Sequence, residues 1–491
     1  MEKTTRLKLT RRQMGAAVAP AWLSGLGSSR AAGRANLLLI LSDDHTAEFA
    51  GCYGNPVIRT PHLDRFAAQG MRLTSMFTAA PQCVPSRVAF LTGKSPVAAR
   101  MGRFSAPLPA EVRTLADYLR EAGYFTGVCG RNYHLDGFPK GVTTFQPGSE
   151  AEGRVSGPIY RKYNLETFRR RVDYADISTP ADTLKRVNEF FDRKPADRPF
   201  FLWVNYSDPH HPWDANAIPQ GHDPARIPIP KYLPDLPGVR QDLARYYDEV
   251  ARLDGQFQEV LDVLERRGFA ESTLVLFMGD NGAAIPHGKG TLYDPGLNVP
   301  CLARWPGRIR PGTVSRALAS GEDVTPTLLA AAGLPTPPDM SGRSLLPVMT
   351  GEAEAVREFV FGARLVHGSR PFKEGTTTHT FDLSRMVRTE RHKIIYNCTP
   401  HMKYSPVDSY TERSWLEMVD AHLNGRLDPA FDRTYFGVRP VLELYDLERD
   451  PAELHNVANQ VEVAQVQRRL LEAMQEKMIL DWDFLPLPLP E

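Results

Sequence analysis

Three apolar runs of strand length, each breaking into polar residues at its carboxyl end, constrain this chain more than any other feature. Asn36-Leu37-Leu38-Leu39-Ile40-Leu41 runs into Ser42-Asp43-Asp44-His45. Phe200-Phe201-Leu202-Trp203-Val204-Asn205-Tyr206 runs into Ser207-Asp208-Pro209-His210-His211-Pro212-Trp213, and Thr273-Leu274-Val275-Leu276-Phe277-Met278 into Gly279-Asp280-Asn281-Gly282. Continuous rather than alternating apolarity belongs to strands covered on both faces. Helical patterns separate the runs, over 60–69, 115–123, 180–192 and 239–267, and in the last of these Leu243, Tyr246, Val250, Leu253, Phe257 and Leu264 recur at helical spacing as core. The rhythm predicts an α/β fold whose large, mixed, mostly parallel sheet is sandwiched by helices. Ligands of such sheets bind outside the carboxyl ends of the strands, so the polar residues that end the runs are the first site candidates.

After about residue 355 the rhythm changes. Strand patterns at 358–363, 385–388, 393–397 and 442–447 follow without alternating helices, and a final helix covers about 461–480. This predicts a smaller C-terminal antiparallel-sheet subdomain packed by a helix. The expected division is a leader over 1–34, a main domain over 35–355 and an α+β subdomain over 356–491.

The chain of 491 residues is nearly neutral at +1, but the first 34 residues hold seven basic side chains and one acidic. The remaining body is mildly acidic, which argues against nucleic acid or long polyanions held by overall charge. An anionic substrate needs a local basic pocket. Thr10-Arg11-Arg12-Gln13-Met14, a modest apolar run and small residues near Ala31-Ala32 read as a twin-arginine export signal, hence a periplasmic or secreted protein. Pro20 and the shortness of that run argue against a membrane span. Cys52, Cys83, Cys129, Cys301 and Cys398 are odd in number and scattered, so they form neither a disulfide framework nor a zinc cluster.

Cys83 stands out. Pro81-Gln82-Cys83-Val84-Pro85-Ser86-Arg87 leads to Leu91-Thr92-Gly93, which reads as a short helix with Pro85 early and Gly93 at its stop. Arg87 lies one turn after Cys83, and a helix start favours an anion. An inert buried cysteine, the commonest fate of a lone Cys, or a thiolate nucleophile also fits this stretch, although cysteine-dependent phosphatases space cysteine and arginine more widely. Asp43, Asp44, Asp280 and Asn281 form an all-oxygen set on two strand ends, suited to a hard cation, calcium or magnesium. Lys289 stands between Gly288 and Gly290, and His210 can donate a proton near neutrality.

The Cys-x-Pro-Ser-Arg…Leu-Thr-Gly pattern resembles the signature of the type I sulfatases of the alkaline phosphatase superfamily. The resemblance extends over nearly everything after residue 35, including Gly288-Lys289-Gly290-Thr291-Leu292-Tyr293, Ser341-Gly342-Arg343 and Tyr445-Asp446-Leu447. In that family the cysteine is converted to formylglycine, whose hydrated aldehyde is the nucleophile. The resemblance implies an alkaline-phosphatase-like fold and a cation on Asp43, Asp44, Asp280 and Asn281. It implies sulfate contacts from Lys289, Arg87 and Arg131, leaving-group protonation by His210, and handling of the diol by His134. His211, His367 and Arg364 are expected beside the substrate. The turn Gly130-Arg131-Asn132-Tyr133-His134 departs from the family's Gly-Lys-x-His twice, with arginine for lysine and one extra residue before the histidine. Arginine keeps the charge but does not readily exchange a proton.

Within the family, residues 284–296, 386–397 and 225–247 look most like the heparan N-sulfatases (sulfamidases), which implies a sulfated amino sugar as substrate. Expected partners are that small carbohydrate and a maturation enzyme that installs formylglycine; a homodimer is compatible with the sequence. Two rivals stand beside this reading. One is a phosphonate or phosphate ester hydrolase of the same superfamily. The other is a non-catalytic sulfosugar-binding protein disabled by Arg131.

Overall fold

The computed structural model describes residues 34–101, 107–131, 135, 162, 164–177, 182–366 and 381–488. The stretch expected to be a leader, up to residue 33, and His134 and His367 lie outside these residues.

The three apolar runs become adjacent parallel strands. Asn36–Ser42 lies between Phe200–Asn205 and Thr273–Gly279, with Leu39 opposite both Trp203 and Leu276. The eight-stranded sheet runs Thr313–Ser315, Met71–Leu73, Cys301–Arg304, Thr273–Gly279, Asn36–Ser42, Phe200–Asn205, Phe125–Gly130, Tyr174–Ile177. Cys301–Arg304 is antiparallel to both its neighbours, and the five strands from Thr273–Gly279 to Tyr174–Ile177 run parallel.

Side chains of the central strand part to opposite faces, as the period of a strand requires. Leu37, Leu39 and Leu41 pack with Val84, Val88, Leu115, Leu119 and Leu328 on one side. Leu38 and Ile40 pack with Leu63, Phe66, Phe190, Leu253 and Phe257 on the other. Each such fully buried leucine or isoleucine contributes about 1.5–3 kcal/mol of hydrophobic stabilisation. Two helix layers over one sheet explain why the runs are apolar without alternation.

The segment 71–77, which reads as one strand, divides. Met71–Leu73 joins the large sheet, whereas Met76–Phe77 pairs with Ala319–Ser320. The Asn298 side-chain amide bonds the carbonyls of Thr74 and Met76 at this break, satisfying backbone that leaves the ladder.

The small antiparallel sheet has the order Val360–Val366, Phe381–Arg388, His392–Asn397, Leu442–Asp446. Val387, Ile394 and Leu444 face the helix Ala464–Leu480 through Leu470, Leu471 and Met474. Met386, Ile395 and Tyr445 face Phe77, Leu292 and Leu297 of the main body. Residues 35–491 make one compact unit.

Candidate active site

Four neighbouring parallel strands bring their carboxyl ends to one edge. Thr273–Gly279 ends at Asp280 and Asn281, Asn36–Ser42 at Asp43 and Asp44, Phe200–Asn205 leads to His210, and Phe125–Gly130 to Arg131. Gly130, at φ +93, allows the last of these turns: a Cβ there would sit 2.1 Å from the Asn205 carbonyl oxygen. The helix Cys83–Thr92 closes the group, stopped by Gly93 at φ +66 with its N–H on Ala89 O. All ten residues of that helix are buried, so it is locked in place.

Cys83 Sγ lies 3.4 Å from Asp43 Oδ1 and 4.0 Å from Asp44 Oδ1. Arg87 donates from Nε to Asp280 Oδ2 (2.9 Å), from Nη2 to Asp43 Oδ2 (2.8 Å) and from Nη1 to Asn205 Oδ1 (3.1 Å). Arg131 also pairs with Asp43 Oδ2. Lys289 Nζ reaches Asp44 at 2.8 Å, Asp408 Oδ2 at 2.7 Å and His210 Nε2 at 3.3 Å. His210 Nδ1 is bonded to the His211 carbonyl, which only an Nδ1–H can satisfy, so Nε2 holds the lone pair turned toward Lys289.

Burial, then the charge of Asp43, pushes the Cys83 thiol well above its ordinary range. A thiolate is therefore disfavoured among these carboxylates, the reverse of a cysteine-dependent phosphatase site. Burial and then Lys289 lower His210 to about 3, keeping the imidazole neutral. Burial lifts Asp44 in spite of Lys289, and burial followed by Asp43 lifts Asp280.

The donors fit a hard cation. Asp43, Asp44 and Asp280 crowd together fully buried, and the amide oxygen of Asn281 is buried without a hydrogen-bond partner among the described residues. Carboxylates that resist ionisation in one another's company are relieved by a divalent ion, and an orphaned amide oxygen completes an oxygen ligand set. Ligating atoms of Asp43, Asp44, Cys83 and His210 also lie within 4.8 Å of one another. The all-oxygen set accounts for Asn281 and Asp280 as well, and the Cys83 thiol, held neutral, makes a poor ligand.

A sequence profile described as "Sulfatase" matches residues 35–334, and one described as "N-sulphoglucosamine sulphohydrolase, C-terminal" matches 286–411. The chain belongs to the sulfatase family. Sulfatases are hydrolases of sulfate esters and sulfamates. Human N-sulphoglucosamine sulphohydrolase is 30% identical over 493 residues, covering 92% of this chain and 90% of its own. An ulvan-active sulfatase of Formosa agariphila is 28% identical, covering 93% and 82%. Among solved structures, a protein in complex with its substrate D-glucosamine-2-N,6-O-disulfate aligns with a TM-score of 0.63 at 20% identity, covering 92% of this chain and 99% of its own. A phosphonate monoester hydrolase from Silicibacter pomeroyi aligns with a TM-score of 0.66 at 20% identity, covering 92% and 97%.

The structure of this sulfatase brings Cys83, Arg87, Arg131, His210, Lys289, Asp43, Asp44, Asp280 and Asn281 together. His211 stands at the rim, its Nε2 2.8 Å from Glu412 Oε1. Arg364 pairs through Nη1 with Asp382 at 3.0 Å and lines a cavity of about 520 Å³ beside the Thr291–Tyr293 turn, its Nη2 near Gly290, the residue after Lys289. Sequence reasoning missed three residues at the site. Asn205 interrupts an apolar strand, a legible signal; Asp408 and Glu412 come from a loop with only turn composition to mark it.

Proposed function

We propose that this sulfatase hydrolyses the sulfamate or sulfate ester of a small sulfated amino sugar such as N-sulfoglucosamine, using a formylglycine made from Cys83 and a calcium or magnesium ion held by Asp43, Asp44, Asp280 and Asn281. The observation that carries this reading is the position of Cys83, buried at a helix start beside Asp43 and within 4.0 Å of Asp44, the carboxylate that also holds Lys289 next to His210. Installed there, the cation would supply positive charge to the sulfate oxygens, and the modified side chain a hydrated aldehyde as oxygen nucleophile.

The chain's own residues do the rest. Arg87 holds Asp43 and Asp280 in register, which orients the ligand set rather than the substrate. Lys289 and the partly exposed Arg131 offer N–H donors to sulfate oxygens as charge moves onto them. His210 Nε2 receives a proton across its 3.3 Å contact with Lys289 and delivers it to the leaving group. His134 is assigned by its motif to return the proton of the nucleophile. Likeness to human N-sulphoglucosamine sulphohydrolase, and a C-terminal match to that protein's profile, support the sugar class. The basic leader supports export to the periplasm or beyond, with maturation of Cys83 by a separate enzyme beforehand. The domain limits 35–355 and 356–491 remain part of this reading.

The decisive experiment measures the mass of the Cys83 peptide in active protein and turnover of three substrates. Oxygen in place of sulfur with two hydrogens lost, together with turnover of glucosamine N-sulfate, is expected; unmodified thiol in active protein would refute the mechanism. The phosphonate monoester hydrolase shares the fold, so a phosphonate monoester is tested beside nitrophenyl sulfate, and turnover of the phosphonate alone would favour that second reading.

A further inference from the structure

We infer that Asp408 reads the substrate's nitrogen: its carboxylate, set against Lys289 and His210 where the buried floor meets the cleft, receives the ammonium that an amino sugar becomes when its sulfamate is cleaved. The inference rests on the sulfatase reading above and names the feature that favours nitrogen over oxygen.

Asp408 Oδ2 lies 2.7 Å from Lys289 Nζ and 4.0 Å from His210 Nε2. The Lys289 side chain is wholly buried, whereas Asp408 and His210 are 26% and 20% exposed, so a ligand meets the Asp408 charge and the neutral His210 ring. The loop that carries Asp408 is pinned. Val407 is buried, and a Cβ on Gly290 would come within 2.2 Å of it, so the residue after Lys289 has no side chain to spare there. Asp408 itself takes φ +64, Ser409 N–H bonds Val407 O at 2.8 Å, and Glu412 N–H bonds Ser409 O at 3.0 Å. Glu412 in turn holds His211. The acid is thus fixed relative to the proposed proton donor from both ends of its loop.

A carboxylate in a sulfate pocket is out of place by charge alone. Like charges in contact repel strongly where solvent screening is poor. Lys289, 2.7 Å away, offsets part of that repulsion in the resting site, and the rest is relieved when a second positive charge develops beside the partly exposed carboxylate. An oxygen leaving group departs as a neutral alcohol and offsets nothing, whereas a nitrogen leaving group ends as a cation. Asp408 therefore favours sulfamate cleavage late on the reaction path, where stabilisation changes rate. It also lies within residues 286–411, the stretch matching the N-sulphoglucosamine sulphohydrolase C-terminal profile.

In the step it serves, a sulfur–oxygen bond forms to the nucleophile at position 83 as the sulfur–nitrogen bond breaks. The electron pair of the broken bond goes to nitrogen, which takes one proton that Lys289 passes through His210 Nε2 and a second from solvent; the nucleophile's hydroxyl proton is lost to solvent, and Lys289 regains its proton when sulfate is eliminated. No oxidant or reductant is involved, and the sum over the cycle is sulfamate plus water giving ammonium plus sulfate.

The test compares Asp408→Asn with the unaltered enzyme, both fully matured, on glucosamine N-sulfate and on nitrophenyl sulfate, whose phenolate needs neither proton nor counter-charge. We expect both substrates to slow, since Lys289 loses its partner, but kcat/KM for the sulfamate to fall about 30-fold further than that for nitrophenyl sulfate. Equal losses on both substrates, or none, would overturn the inference, the first marking Asp408 as a counter-ion of Lys289 only. A second measurement needs no variant: glucosamine should inhibit nitrophenyl sulfate turnover about 10-fold more tightly than N-acetylglucosamine, which carries no ammonium. Equal inhibition by the two overturns the inference as well. An unaltered enzyme that turns over nitrophenyl sulfate but not glucosamine N-sulfate would sink the amino-sugar reading itself, which is a different failure.

Discussion

At the seam with the small sheet, Asp294 takes Arg388 through bonds of 3.1 and 3.0 Å and Lys393 at 2.5 Å, while Lys393 also reaches Glu453 at 2.7 Å. At the edge of the large sheet, Asp43, Asp44, Asp280 and Asp408 face Arg87, Arg131 and Lys289 at similar distances. Both clusters are buried ion-pair networks. The first is balanced, acid for base, and although burial works to raise Asp294, Arg388 and then Lys393 outweigh it and hold its carboxyl well below the usual range. The second has more acids than bases, and its Asp44 and Asp280 are pushed up. Balance marks a cluster that serves structure; the imbalance leaves room for a divalent ion, so the two should respond oppositely to the same kind of change.

The largest difference is expected from removing one charge in each. Lys393→Met strands Asp294 and Glu453 without their shared cation, and breaking a buried pair in this way costs about 3–5 kcal/mol. A urea midpoint should fall accordingly. Asp43→Asn removes one of the crowded acids instead, so in chelator its midpoint should hold or rise, while kcat/KM falls by at least about 1,000-fold as ligand and nucleophile support are lost. A stability loss in Asp43→Asn as large as that in Lys393→Met would erase the distinction drawn between the clusters.

How legible each region was in the sequence follows the same division. The large sheet and its strand ends could be read because Leu37–Leu41, Phe200–Val204 and Leu274–Met278 are apolar without a break, and an acid or histidine just beyond such a run has few other reasons to be there. Cys83 and Gly93 could be read from helix start and stop chemistry. Asp408 could not: it lies far along the chain from Lys289, in Ser405-Pro406-Val407-Asp408-Ser409, whose composition says only turn. Arg364 was expected beside the substrate because its strand comes from the second region; its pairing with Asp382, which holds it near the Lys289–Gly290 turn, could not be read from the sequence. The salt-bridge seam was invisible for the same reason: Asp294, Arg388, Lys393 and Glu453 meet only once the small sheet has docked.

A smaller effect should follow from adding the cation. Calcium at about 100 times its dissociation constant raises stability by about 2.7 kcal/mol if it binds the folded chain alone. Thermal unfolding of the chelator-treated protein should show that gain, and Asp280→Asn should lose it while Lys393→Met, though less stable at the start, keeps it in full. A calcium response equal in Asp280→Asn and the unaltered protein would place the ion elsewhere. Magnesium run in parallel would separate the two hard cations by ligand number and fit.

The smallest effect, in pH, has opposite signs for the crowded acids of the catalytic edge and for Asp294 of the seam. Asp44 and Asp280 have folded-state pKa values raised above the ordinary carboxylate value. Their contribution to stability is therefore whole below that ordinary value and is lost as pH rises through the raised ones toward neutrality. Asp294 is the reverse, since its carboxyl is lowered by Arg388 and Lys393; its contribution is whole above the ordinary value and is lost as pH falls toward the lowered one. In chelator, the urea midpoint should thus decline between about pH 4 and about pH 7 on account of the catalytic edge. Saturating calcium should flatten that decline, because ligation keeps the same carboxylates ionised in place. Glu453, which burial lifts despite Lys393, slopes the same way as the catalytic edge but has no ion to answer to. The part of the slope that calcium leaves untouched therefore measures the seam, and the part it removes measures the site; a slope indifferent to calcium would mean that the crowded acids are not where the ion binds.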